Sequence, residues 1–137
     1  MSPFEIFSLF FDKEFIDLVT ENTNIYYTEK LISELQERNR VPQYLESWSE
    51  VRREEILPLI CAYIYMGIVK LLQIEDHWKE DTLFPRHIVA KLFSFHRFYL
   101  VNKFLHVYNI RTEGPQDKLK KIRPFFSPLL ANWQRYY

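Results

Sequence analysis

Apolar positions recur at the spacing of an α-helix through most of the chain, and a strict two-residue alternation is nowhere sustained. The opening "SPFEIFSLFF" carries a helix start, with Ser2 as N-cap, Pro3 at the first helical position and Glu5 completing a capping box. Phe4, Ile6, Phe7, Leu9, Phe10 and Phe11 make this helix apolar nearly all round, so it is expected to dock. Asp12 is placed to cap a second helix with Phe15, Leu18, Val19, Asn22 and Ile25/Tyr26 on one face. The face then moves to Leu31, Ile32 and Leu35, which predicts a break near Tyr27-Thr28. Asn39, Pro42 and Ser47 mark the next connection.

The most apolar stretch runs from Arg52 to Lys70 and reads as a central helix, expected over 53–70 to be the most buried element. Its stripe is Ile56, Leu59, Ile60, Tyr63, Ile64 and Ile68, and Cys61, Ile60 and Ile64 are expected to be shielded from solvent. Pro58 must kink this helix or begin it, because it lacks the N–H a helix interior needs. "IEDHWKEDTLFP" predicts a short helix and a loop, and "RHIVAKLF" a further helix. Ser94 caps "FHRFYLVNKFLHVYN", with Phe95, Phe98, Val101, Leu105 and Tyr108 inward. After the loop "IRTEGPQD", Asp117 caps a last helix, "KLKKIRPFFSPLLANWQRYY", bent by two internal prolines. Without repeats or low-complexity segments, the pattern predicts an all-α fold of six to eight helices in a single domain, 1–137.

Composition supports that reading. The 137 residues suffice for one core, and only 2 Gly argue against a turn-rich β fold. The single Cys61 cannot form an internal disulfide and fits a reducing compartment. No signal peptide is legible after Met1, and the longest apolar run is interrupted by Lys70, short of the ~20 residues of a membrane span. A soluble, intracellular protein is expected, with no membrane partner. The net charge of zero hides an asymmetry: residues 1–84 hold 8 Lys+Arg against 16 Asp+Glu, a net of −8, and residues 85–137 hold 10 against 2, a net of +8. Such a split points to an anionic partner for the basic part, or to halves that neutralise each other within one globule or across a dimer.

Catalytic chemistry finds little support. His77, His87, His96 and His106 include no pair at the i, i+4 spacing that ligates a metal from one helix face, so surface or capping roles are expected. Glu54-Glu55, Glu75-Asp76 and Glu80-Asp81 fall at helix starts, where the dipole favours acids. No catalytic residue, metal site or cofactor is expected, and no enzyme. The basic run is more promising: on a helix, Lys118, Lys120, Lys121 and Arg123 spread over one exposed face, with Leu119, Ile122 and Phe126 turned inward. Arg86, Lys91, Arg97 and Lys103 extend the patch, and the candidate DNA-binding set is Lys118, Lys120, Lys121, Arg123, Arg97 and Lys103. A solvated helix face is the plainer reading of the same cations.

Four motifs occur in order: "SPFEIFSLFFDKEFIDLVTENTNIYY", "MGIVKLLQIEDHW", "FHRFYLVNKFLHVYN" and "DKLKKIRPFFSPLLANWQRYY". Together they resemble the front half of piggyBac-type transposases over almost the whole chain, with departures at Arg52, Pro58 and Cys61. The resemblance implies the helical dimerisation and DNA-binding region that packs on an RNase H-like catalytic core in that family. The family's catalytic Asp residues follow the matched segment, so the resemblance implies a transposase-derived domain without strand cleavage. It further implies double-stranded, terminal-repeat-like DNA, a homodimer or a related transposase as partners, and a nuclear location. A protein-interaction module, acting as dimeriser or adaptor without binding DNA, is the second reading.

Overall fold

Ser2 starts the first helix as its pattern predicts: its Oγ accepts from the Glu5 N–H at 3.2 Å while the Glu5 carboxylate accepts the Ser2 N–H. The computed structural model describes residues 1–80, 86–112 and 117–137, and among these every regular element is helical. The order is α1 (Pro3–Phe10), α2 (Lys13–Arg38), α3 (Gln43–Glu46), α4 (Arg53–Ile68), a 3-10 turn (Ile74–Trp78), α5 (Val89–Leu92), α6 (Phe95–Phe104) and α7 (Arg123–Tyr136). Asp12 caps α2 by accepting from the Phe15 N–H at 2.9 Å. Asn39, in the left-handed conformation at φ 50°, ends it, a cap that Asn tolerates where most residues do not.

Two packed clusters form the interior. The larger takes Phe15 and Val19 from α2, Val51, Ile56, Leu59 and Ala62 from α4 and its approach, and Val89, Phe93, Phe98 and Val101 from the second half. The smaller gathers Leu45, Leu100 and Phe104, with Tyr26, Tyr27, Leu31, Val41, Tyr44 and Trp48 around them. Each fully buried Phe, Leu or Ile contributes roughly 1.5–3 kcal/mol of transfer free energy. The expected break at Tyr27-Thr28 does not occur, because the shift of face is α2 passing from the first cluster to the second without interruption.

Burial is heaviest on α6 rather than on α4. Phe98, Leu100, Val101 and Phe104 of α6 are buried because it serves both clusters, whereas α4 buries Ile56, Leu59 and Ala62. Cys61 and Ile64 are exposed and Ile60 is half-buried, contrary to expectation. An all-round apolar helix has no single stripe that the pattern can select.

Two helix boundaries differ for identifiable reasons. α6 stops at Phe104 instead of continuing to Asn109, because α2 captures the backbone beyond it. Asn22 donates to the Val107 carbonyl at 3.0 Å, and Thr23 Oγ1 accepts the His106 N–H at 3.1 Å while donating to its carbonyl. Phe95, at the opposite end of α6, is 37% exposed and not turned fully inward. α7 begins at Arg123 instead of Lys118, since the Pro124 ring excludes Lys120 from a continuous helix but suits a first turn. Leu119, Ile122 and Phe126 are exposed and do not turn inward. α1 docks on α7: Phe10 lies 6.0 Å from Trp133, and Asn132 Nδ2 donates to Asp12 Oδ2 at 3.0 Å.

Candidate nucleic-acid interface

The segment 117–122 is a run of turns, held by the Lys120 N–H on the Asp117 carbonyl at 3.1 Å and the Ile122 N–H on the Leu119 carbonyl at 3.0 Å. Asp117 Oδ1 accepts the Leu119 N–H at 3.1 Å, and Oδ2 accepts Arg123 Nε at 2.7 Å and Nη2 as well. The Leu119 N–H, and after it Arg123, hold the Asp117 carboxyl below its ordinary range. Arg123 is thus partly neutralised. Lys118 and Lys121 are exposed, Lys120 is half-buried, and none of the three has an ion-pair partner among the described residues. Three cations stand together on one tight turn, ahead of a helix with no acidic residue in its first turn.

The charge of Lys121 acts on His106, in the segment after α6. There the His106 ring stacks on Tyr26, with centroids 4.2 Å apart and planes 2° apart, and its Nε2 is buried without a hydrogen-bond partner. Burial, and next the charge of Lys121, lower the His106 pKa from its ordinary 6.5. Both effects disfavour the charged form of the ring.

The other two candidate cations are placed differently. Lys103, at the end of α6, holds its Nζ 3.6 Å from the Tyr44 ring centroid and 5.9 Å from that of Tyr99, while remaining exposed. Tyr44 and Tyr99 are missed by reasoning from charge runs, because nothing local in the sequence links them to Lys103. Arg97 is a structural clamp. Its Nε and Nη2 grip Glu55 at 2.9 and 2.8 Å, Nη1 donates to the Ser49 carbonyl at 2.8 Å, and Nη2 also reaches the Glu50 carbonyl at 3.2 Å. The guanidinium sits 5.2 Å from the Trp48 ring centroid. Of the extending cations, Arg86 donates to the Ala90 carbonyl at 3.2 Å, and Lys91 is exposed.

The remaining titratable candidates resolve into structural roles. His77 is buried rather than superficial, with its two ring nitrogens each 3.0 Å from a carbonyl, those of Ile74 and Val69. His87 Nδ1 meets the Tyr65 hydroxyl at 2.7 Å. Asp76 caps the 3-10 turn through the Gln73 N–H, and Glu55 is held by Arg97 instead of being solvated. Asp81, and most of the loop "RTEGPQD", lie outside the described residues. Among the described residues no three His, Cys, Asp or Glu converge to hold a metal ion, and no helix is long and apolar enough to cross a membrane.

Residues 2–137 match the family described as Transposase IS4. The chain belongs to this IS4/piggyBac-type transposase family. It is 22% identical over 136 residues to the human PiggyBac transposable element-derived protein 2, covering 99% of this chain and 20% of that relative. The chain therefore spans about a fifth of the length of this relative. No solved structure matches it. Within this transposase-derived chain the stretch "DKLKKIRPFF" is the basic turn and the first residues of α7, and "MGIVKLLQIEDHW" ends α4 and continues through the 3-10 turn.

Proposed function

We propose that this transposase-derived chain is a DNA-binding domain, 1–137, in which the turn carrying Lys118, Lys120 and Lys121 contacts the phosphate backbone and no strand cleavage takes place. The supporting observation is that these three cations share one exposed turn without an ion-pair partner among the described residues. Three ammonium groups on a tight turn suit successive phosphates of a duplex, which require charge and reach but no base-reading geometry. Lys103, between two tyrosine rings, adds a positive edge where a phosphate or sugar can rest. Arg123 has a secondary role because Asp117 already holds it, and Arg97 belongs to the scaffold. Double-stranded DNA is the partner in this reading, and a nuclear location goes with it.

Each phosphate neutralised adds ~0.9 to the slope of log K against log salt concentration on duplex DNA. The triple variant Lys118→Ala, Lys120→Ala, Lys121→Ala is expected to lower that slope by up to about 2.7 while helical content stays unchanged. Arg123→Ala is expected to change it by less than one such step. Equal affinity of the triple variant and the parent at every salt concentration would refute the reading, and the chain would then act as a protein-interaction module. Cleavage of plasmid DNA by the chain in Mg²⁺ or Mn²⁺, abolished by replacing one of its own acids, would refute the absence of chemistry.

A further inference from the structure

His77 is 3% exposed, and both of its ring nitrogens face backbone carbonyls. Nδ1 lies 3.0 Å from the Ile74 oxygen and Nε2 3.0 Å from the Val69 oxygen. A carbonyl oxygen only accepts, so each contact needs a proton on the ring nitrogen. A neutral imidazole carries one such proton and an imidazolium carries two. In either neutral tautomer one nitrogen turns its lone pair on a carbonyl oxygen, at a distance that leaves no room for water between them. Two buried acceptors set against each other are costly.

The surroundings suit a positive ring. Val69 is the C-cap of α4, so its carbonyl stands where the partial negative charge of the helix collects. From Ile56 to Ile68 α4 has no charged residue, and it offers His77 the edge of the Tyr65 ring at 6.1 Å. Arg53, Glu54 and Glu55 lie at the other end of α4, and Lys70, just past its end, is exposed. α5 packs on the 3-10 turn and carries only Lys91, which is exposed. His87, ahead of α5, brings its ring centroid to 5.5 Å, with Nδ1 engaged by the Tyr65 hydroxyl. On the turn itself Glu75 and Lys79 are exposed. Asp76 is held below its ordinary range by Lys79 first, then by the Gln73 N–H, and last by the charge of His77.

We propose that His77 is an imidazolium in the folded chain and acts as a pH-sensitive latch, closing the connection from the end of α4 to the 3-10 turn while both ring protons are in place. Loss of either proton as pH rises breaks one of the two bonds and frees a carbonyl, at Val69 or at Ile74. The latch holds more than its own loop. Trp78, the next residue, donates to the Phe93 carbonyl at 2.7 Å and lies 4.9 Å from the Phe98 ring, so the turn is moored to the start of α6. Opening loosens residues 69–78, with exposed Leu72 and Ile74 among them, and leaves the packing between α2 and α6 in place. The sign is opposite to that of His106, whose charged form the fold disfavours, so the informative readout is local to 69–78. The latch uses none of the residues assigned to DNA and stands whether or not the chain binds it.

Long-range proton–nitrogen NMR correlation on the intact chain at about pH 5.5 is expected to show a proton on each His77 ring nitrogen, both slow to exchange with water. Raising the pH is expected to remove one of them. As it leaves, amide protection over 69–78, corrected for the intrinsic exchange rate, should fall about tenfold relative to that over α2, the worth of one hydrogen bond from a charged donor. His77→Gln keeps a donor but does not titrate, so its protection over 69–78 should lose this pH dependence. A ring carrying a single proton in the folded chain at about pH 5.5 would overturn the proposal. A ring that titrates with no change in protection over 69–78 would overturn it too, and both results come from the parent chain, whether or not His77→Gln folds. Equal pH dependence in the parent and in a folded His77→Gln would also overturn it.

Discussion

Replacing Arg97 by Ala tests whether the residue is a clamp or a DNA contact. The substitution removes both bonds to Glu55 and those to the carbonyls of Ser49 and Glu50. The side chains of Arg97 and Glu55 are 18% and 15% exposed, so the pair is neither dry nor freely solvated. Breaking a fully buried pair costs ~3–5 kcal/mol and an exposed one ~0.2–1, which places Arg97→Ala at about 2–3 kcal/mol. Arg97→Lys should recover only part, since an ammonium cannot match the two carboxylate oxygens and two carbonyls together. Urea unfolding followed by circular dichroism at pH 7 measures this, with an unchanged m-value. Burial alone would raise the Glu55 pKa, but Arg97, the Arg52 N–H and nearby positive charge outweigh it and hold the carboxyl below 4.5. A lowered carboxylate stabilises fully above its unfolded value and loses that contribution as pH falls through the folded one. The cost of Arg97→Ala should therefore shrink below about pH 4. A cost under about 0.5 kcal/mol at pH 7, or one equal at pH 3 and pH 7, would refute the clamp.

Three further outcomes are expected. Because burial, followed by Lys121, depresses the His106 pKa, its neutral form stabilises the fold above pH 6.5 and stability declines as pH falls below that value. His106→Phe should flatten the decline between pH 7.5 and 5 in urea titrations, and an unaltered slope would contradict the assignment. Asp12→Ala removes both the α2 cap and the bond to Asn132, so a loss of ~1–2 kcal/mol is expected in thermal unfolding, and a loss under ~0.3 would argue against it. Gly67 sits in the last turn of α4 with nothing within 4 Å of where a Cβ would stand, and Gly67→Ala should raise stability by up to ~1 kcal/mol by chemical denaturation.

The sequence made the helical class and most helix starts legible because they depend on local chemistry: Ser2, Asp12 and Ser94 each accept the predicted N-terminal N–H. Helix ends and the choice of buried face were less legible because they depend on distant partners. Nothing near Phe104 announces that Asn22 and Thr23 will take over the backbone at His106 and Val107, more than 80 residues away in sequence. On α4 the predicted stripe ran from Ile56 to Ile68, but the cluster the helix joins took Ile56, Leu59 and Ala62 and left Ile64 and Ile68 exposed. At the candidate interface Lys118 and Lys121 are exposed as the charge run suggested, although on turns and not on a helix face, but charge alone could not distinguish them from Arg97, whose partners lie 42 to 48 residues away.

The contact between the first and last helices has a consequence for synthesis. Asn132 and Asp12 are separated by 120 residues, so α1 emerges from the ribosome long before its partner exists. At ~5–20 residues per second the wait is ~6–24 s. Throughout it, the aromatic surface that α7 will cover is open to chaperones or to neighbouring nascent chains. A chain cut short before α7 would keep that surface uncovered for good, which makes premature termination a route to aggregation and not merely to loss of the basic turn.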